Sequence, residues 1–127
     1  YMNPDHLSIL VSSLETSMPF YDALLPLMGF DKIRPHIWKN ADCFFIQLRQ
    51  AHQGTSPYER YGAGMNHIGF GAPDAKTVVL IRDRMGALGF EVPDIQRLNG
   101  ASAIFMMDPD GIRFEITYYP PGMHVVS

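Results

Sequence analysis

Two histidines open two similar stretches, "HLSILV" at residues 6–11 and "HIGFG" at 67–71. In the first, Leu7, Ile9 and Val11 alternate with His6, Ser8 and Leu10, so one strand face is apolar and His6 shares the other with Ser8. In the second, Ile68 and Phe70 alternate with His67, Gly69 and Gly71. Gln47 in "FFIQLRQ" (44–50) and Glu115 in "IRFEITY" (112–118) also sit on the polar side of alternating strands. Their neighbours on that side include Ser8, Gly69, Gly71 and Thr117, too small to fill the space above a sheet, so a cavity is expected there. Two imidazoles, a carboxylate and an amide oxygen make a ligand set that suits Fe(II), Mn, Ni, Co or Zn and leaves coordination positions open. Taken singly, a strand-end histidine is more often hydrogen-bonded structure, and a strand glutamate is more often solvated. Taken as two matched pairs, His6, Gln47, His67 and Glu115 point to one divalent metal per site.

The elements that must position these residues repeat as well. "HLSILVSSLETSMPFYDALLPLMGF" (6–30) and "HIGFGAPDAKTVVLIRDRMGALGF" (67–90) each run from a histidine through a strand and a helix to Gly-Phe. Ser12 and Glu15 have capping-box spacing, and Asp74 suits the start of the second helix. Leu14, Met18, Tyr21, Leu25 and Met28 form one helical stripe, and Val78, Ile81, Met85 and Leu88 another. Gly29 and Gly89 stand where a helix end takes a left-handed residue, and Pro26 loosens the last turn of the first helix. Short strands follow at 31–36, 36–39 and 43–49, then at 90–95, 102–107 and 112–118. Turns at 39–42, at Asn99-Gly100 and at "DPDG" (108–111) separate them. The class is α+β: two βαβββ modules, 5–50 and 66–119, joined by a loop over 51–65. Neither module buries enough alone, so one domain over 1–127 is expected.

With 127 residues, 46% apolar and 18% charged, the chain suits a packed globular protein. Its net charge of −3 comes in no block, so neither nucleic acid nor a membrane surface is expected as partner. The single cysteine, Cys43, excludes an intrachain disulfide, and a reducing cytoplasm is the expected setting. Cys43 reads as a small buried residue. Arg49 and Arg113 share the faces of Gln47 and Glu115 and are candidates for holding an anionic substrate group. Tyr58, Arg60 and Tyr61 precede His67 in the loop and could close over a substrate, Tyr61 being the candidate contact. His36, His52 and His124 have no matched partner and read as surface residues.

"HLSILVSSLETSMPFYDALLPLMGF", "NHIGFGAPD" and "AIFMMDPDGIRFEI" together resemble the vicinal oxygen chelate superfamily, which includes glyoxalase I, bleomycin and fosfomycin resistance proteins and extradiol dioxygenases. The resemblance covers nearly the whole chain. It implies that the two modules form a half-open mixed β-barrel with helices outside. It also implies metal ligands on the first and last strands of each module, here the same His6, Gln47, His67 and Glu115. Extradiol dioxygenases carry a tyrosine where this chain has Phe105 and a histidine near Gln96, Arg97 and Leu98, which demotes ring cleavage. Bleomycin-binding members generally lack the ligands present here. The glyoxalase I type is closest in size and ligand order, although Gln47 replaces a glutamate. The implied activity is lyase or isomerase chemistry on a small substrate with adjacent oxygens, with Glu115 as ligand and base. The alternatives are a non-catalytic binding or resistance protein and an Fe(II) dioxygenase. Single-domain members commonly dimerise, so a homodimer is implied.

Overall fold

A computed structural model describes residues 1–123, and His124 lies outside them. The chain divides into two compact units, Tyr1–Tyr58 and Glu59–Ser127. The first contains β1 (His6–Val11), α1 (Leu14–Leu27), β2 (Asp31–Arg34), β3 (Ile37–Lys39) and β4 (Phe45–Gln50). The second contains β5 (His67–Gly71), α2 (Ala75–Ala87), β6 (Gln96–Leu98), β7 (Ala101–Met107) and β8 (Arg113–Tyr118). Each unit holds one four-stranded sheet, in the orders β1-β4-β3-β2 and β5-β8-β7-β6. First and last strands lie side by side and parallel, and the remaining pairings are antiparallel. The α+β class and the repeated βαβββ order are therefore as the sequence leads one to expect. No helix among the described residues is long and apolar enough to cross a membrane.

Helix α1 starts one residue later than the expected Ser12–Glu15 box. Its cap is Ser13, whose Oγ accepts the Thr16 N–H at 3.2 Å. Gln50 explains the shift: its Oε1 accepts the Leu14 N–H at 3.0 Å, and its Nε2 donates to the Ser12 carbonyl. A side chain from β4 thus holds both sides of the helix start. The buried face carries Phe20, Tyr21, Leu24 and Leu25, and Ile9, Val11, Trp38, Ile46 and Leu48 of the sheet are buried as well. In the second unit Val78, Ile81 and Met85 of α2 are buried with Ile104, Met106, Phe114 and Ile116, whereas Leu88 is exposed. Gly29 and Gly89 take φ of +89° and +93° just past the helix ends.

Two further expectations fail. Residues 90–95 form no strand. Pro93 has no N–H to donate, and its carbonyl accepts from Arg82 Nε of α2 at 2.8 Å, so pairing starts only at Gln96, opposite Ala103. Cys43 is exposed rather than buried, with φ of +60° in a turn where Asn40 Oδ1 accepts the N–H groups of Asp42 and Phe44. His52 is exposed, as expected, whereas His36 is half-buried in the turn between β2 and β3, with φ of +71°.

Asp74 caps α2 as expected, accepting from the Thr77 hydroxyl at 2.7 Å and the Thr77 N–H at 2.8 Å. Those two bonds, and then nearby Lys76, hold its carboxyl below the ordinary carboxylate range. A depressed folded value stabilises the fold above the unfolded pKa, and this contribution disappears as pH falls through the folded one. Asp74→Ala is therefore expected to lose stability at pH 7 and to differ little from the native chain near pH 2. Urea midpoints at the two pH values test it, and an equal loss at both would show that the carboxylate charge is immaterial.

Candidate functional site

The second unit assembles its site from β5, β7 and β8. In the parallel register His67 stands beside Arg113, Gly69 beside Glu115 and Gly71 beside Thr117. Partners in a ladder share a face, so His67, Arg113, Glu115 and Thr117 point to one side while Phe114 and Ile116 face the core. There His67 Nε2 lies 3.2 Å from Glu115 Oε1. The other carboxylate oxygen, Oε2, accepts from the buried Thr117 hydroxyl at 2.6 Å.

The neighbours of His67 orient its ring. Asn66 Nδ2 donates to the Arg60 carbonyl at 2.9 Å, which orients the amide so that its Oδ1 faces His67 Nδ1 at 2.7 Å. Nδ1 must then be the donor. That leaves the lone pair of a neutral ring on Nε2, facing a carboxylate oxygen. Two acceptors at that distance require a positive species between them, either a proton or a metal ion. The separation fits two neighbouring ligands of one ion with bonds of about 2.0–2.2 Å. The ring of Phe105 meets His67 edge-on, centroids 5.7 Å apart, so an apolar wall closes one side.

The first unit repeats half of this arrangement. Ser8 stands beside Gln47 on the parallel β1–β4 ladder, with His6 two residues earlier, the same offset as Gly69, Glu115 and His67. His6 Nδ1 contacts Asp5 Oδ2 at 2.6 Å, so both histidines bond through Nδ1 to an oxygen of the residue before them. That oxygen-bearing residue ahead of each histidine, Asp5 and Asn66, is a signal the sequence reading passed over. Within either unit, among the described residues, no three His, Cys, Asp or Glu side chains gather to hold an ion. What each unit offers is two donors.

A concavity of about 860 Å³ extends from His67, Glu115 and Phe105 along the sheet face to Leu98, Tyr119 and Met123. Its lining does not include Arg113, although this side chain shares the face, is half-buried and keeps an Nε atom without a hydrogen-bond partner among the described residues. Arg49 is exposed near the end of β4. Tyr61 is 82% exposed, and the Arg60 guanidinium lies 4.8 Å from the centre of its ring.

A family model described as the Glyoxalase/Bleomycin resistance protein/Dioxygenase superfamily matches residues 3–116. The chain belongs to this superfamily. Solved structures with the glyoxalase-superfamily fold include a glyoxylase/bleomycin resistance protein/dioxygenase domain from Frankia sp. EAN1pec, at 19% identity, with 98% of this chain and 96% of that one covered and a TM-score of 0.81. The fosfomycin resistance protein FosX from Listeria monocytogenes is 19% identical, with 95% and 96% covered and a TM-score of 0.69. Lactoylglutathione lyase from Agrobacterium tumefaciens is 21% identical, with 91% and 92% covered and a TM-score of 0.64. At such identities the likeness speaks for the fold. No curated protein matches the chain.

Proposed function

We propose that this glyoxalase-superfamily chain is a metal-dependent lyase or isomerase acting on a small molecule with adjacent oxygens. The observation that supports it most is the pairing of His67 Nε2, with its tautomer set by Asn66, and Glu115 Oε1 at 3.2 Å. His67 and Glu115 would hold one divalent ion (Zn, Ni, Co, Mn or Fe), with His6 and Gln47 as the other ligands. When bound, such an ion acts as a Lewis acid on a carbonyl or alkoxide oxygen. Glu115 serves as the base, taking a proton from a carbon next to the carbonyl and returning it to the neighbouring carbon. Thr117 fixes the carboxylate from behind, and Phe105 limits water on the His67 side. Arg49, Arg113 and Tyr61 are the candidate substrate contacts. The reading extends to a cytoplasmic homodimer, which light scattering on the purified chain tests.

Elemental mass spectrometry on the native chain and on His67→Ala tests the metal. About one ion per chain in the native protein and almost none in the variant is the expected result. If the native chain stays empty after reconstitution with each of the five ions, the catalytic reading fails. The second reading, a non-catalytic small-molecule binding protein, would then lead. It is favoured by the Leu98, Phe105, Tyr119 and Met123 lining of the concavity. Removing the outer support should weaken the site without emptying it. Asn66→Ala is expected to lower metal affinity about 10–100-fold, as measured by competition with a chelator. Native affinity in that variant would show that Asn66 does not orient His67.

A further inference from the structure

Two half-buried arginines without an acid to neutralise them stand close to His67. Arg113 lies beside His67 on the β5–β8 ladder and opposite Met107 on β7, and it shares a face with Glu115 two residues on. Among the described residues no carboxylate is paired with its guanidinium. Glu115 is spent elsewhere, one oxygen facing His67 Nε2 at 3.2 Å and the other accepting the Thr117 hydroxyl at 2.6 Å. The Nε of Arg113 is covered, which leaves its two terminal nitrogens to meet a ligand. Arg60 is also half-buried, and its carbonyl holds the Asn66 amide that orients His67. Three buried side-chain polar atoms lack a hydrogen-bond partner among the described residues; two are the Nε atoms of these arginines, and the third, Trp38 Nε1, lies in the first unit. The unmet donors of the second unit thus gather around His67. Arg49, by contrast, is exposed, and water screens its charge.

A guanidinium partly withdrawn from water without a counter-charge favours an anion that completes it. A carboxylate suits it, since two oxygens match the paired nitrogens of the fork. Register sets how far that anion lies from the chemistry. Arg113 and Glu115 are two residues apart on one strand face, about 6.6 Å at about 3.3 Å per residue. From this we infer that the substrate is a compact carboxylic acid with its acid group next to the oxygen-bearing carbon, a 2-hydroxy or 2-oxo acid, and that Arg113 selects it. Arg113 lies outside the lining of the concavity but neighbours two lining residues, His67 and Glu115, so the acid group sits at the rim. The rest of the molecule extends over Gly69, where an added Cβ would meet nothing within 4 Å. Such an acid carries oxygens on adjacent carbons, as the proposed chemistry requires. The placement of the reacting carbon rests on the reading of His67 and Glu115 as the reacting groups; the charge of the substrate rests on Arg113.

The test compares mandelate with mandelamide, which share size, ring and adjacent oxygens and differ in charge. Binding to the full chain as purified is followed through the amide resonances of Gly69, Phe105 and Glu115, with metal content measured on the same sample. The native chain is expected to bind mandelate at least about tenfold more tightly, the worth of a charge-assisted hydrogen bond. Arg113→Gln is expected to lose that preference through weaker mandelate binding, with mandelamide affinity unchanged. Arg113→Lys keeps the charge without the fork and should fall between the two. Equal or tighter mandelamide binding by the native chain overturns the inference, and this comparison needs no variant to fold. A preference that survives Arg113→Gln overturns it as well, as does a failure of both probes to shift those resonances. A chain that takes up metal but keeps its preference in Arg113→Gln loses only this inference. One that stays metal-free while its preference depends on Arg113 loses only the enzymatic reading.

Discussion

Glu115→Gln is expected to lower catalysed proton exchange about 10²–10⁴-fold, the usual worth of a positioned general base. Hydroxyacetone is a suitable reporter, being small, uncharged and built on adjacent oxygens. In deuterium oxide its hydroxymethyl proton signal fades as a base exchanges it. The substitution keeps the shape of the side chain, and its amide oxygen can still accept from the Thr117 hydroxyl that now bonds Oε2 at 2.6 Å. It removes the charge that faces His67 Nε2 across 3.2 Å. The variant would then carry amides at both matched last-strand positions, 47 and 115, and lack a carboxylate to take the proton. Stability should change little, since the side chain is on the face opposite the core. Exchange at the native rate in a correctly folded variant would remove Glu115 from the role of base.

Phe114→Ala is expected to cost about 3–5 kcal/mol of stability, the range for truncating a fully buried aromatic side chain. Against a total of about 5–15 kcal/mol for a typical domain, that loss unfolds a large part of the population on mild heating. Phe114 has no exposed surface and stacks on Phe70 with centroids 6.1 Å apart and planes 9° from parallel. It lies on β8, between β5 and β7, directly before Glu115. The residue that packs the core and the residue that carries the chemistry are thus adjacent and point to opposite faces. Urea denaturation measures the cost, and Phe114→Leu, which keeps most of the apolar volume, should cost less. A loss below about 1 kcal/mol for the alanine variant would mean the strand is held elsewhere.

Much of this architecture is visible in the chain because it depends on local periodicity. Alternation with period two separates Ile112, Phe114 and Ile116 from Arg113, Glu115 and Thr117 without knowledge of any partner strand. Gly29, Gly89 and the Asn99-Gly100 turn announce themselves because few other residues take positive φ. Errors arise where a distant group competes. Gln50 shifts the start of α1 from 36 residues away, and Arg82 takes the Pro93 carbonyl that a strand over 90–95 would have needed. The exposure of Cys43 has a local cause instead, the turn imposed by Asn40, which the hydrophobic type of a cysteine does not reveal.

By itself the sequence determined the α+β class, the two βαβββ repeats and the face on which each of His6, Gln47, His67 and Glu115 stands. All of these follow from residue type and spacing within a few neighbours. Only the tertiary structure decided that His67 meets Glu115, because that contact needs β5 and β8 paired in one register across more than forty intervening residues. It alone also decided the tautomer of His67, which depends on the Asn66 side chain being turned by the Arg60 carbonyl. The lining of the concavity likewise emerges only when β6, β7 and β8 lie side by side. Periodicity tells a side chain which way to point, but the groups that point back at it are supplied by folding.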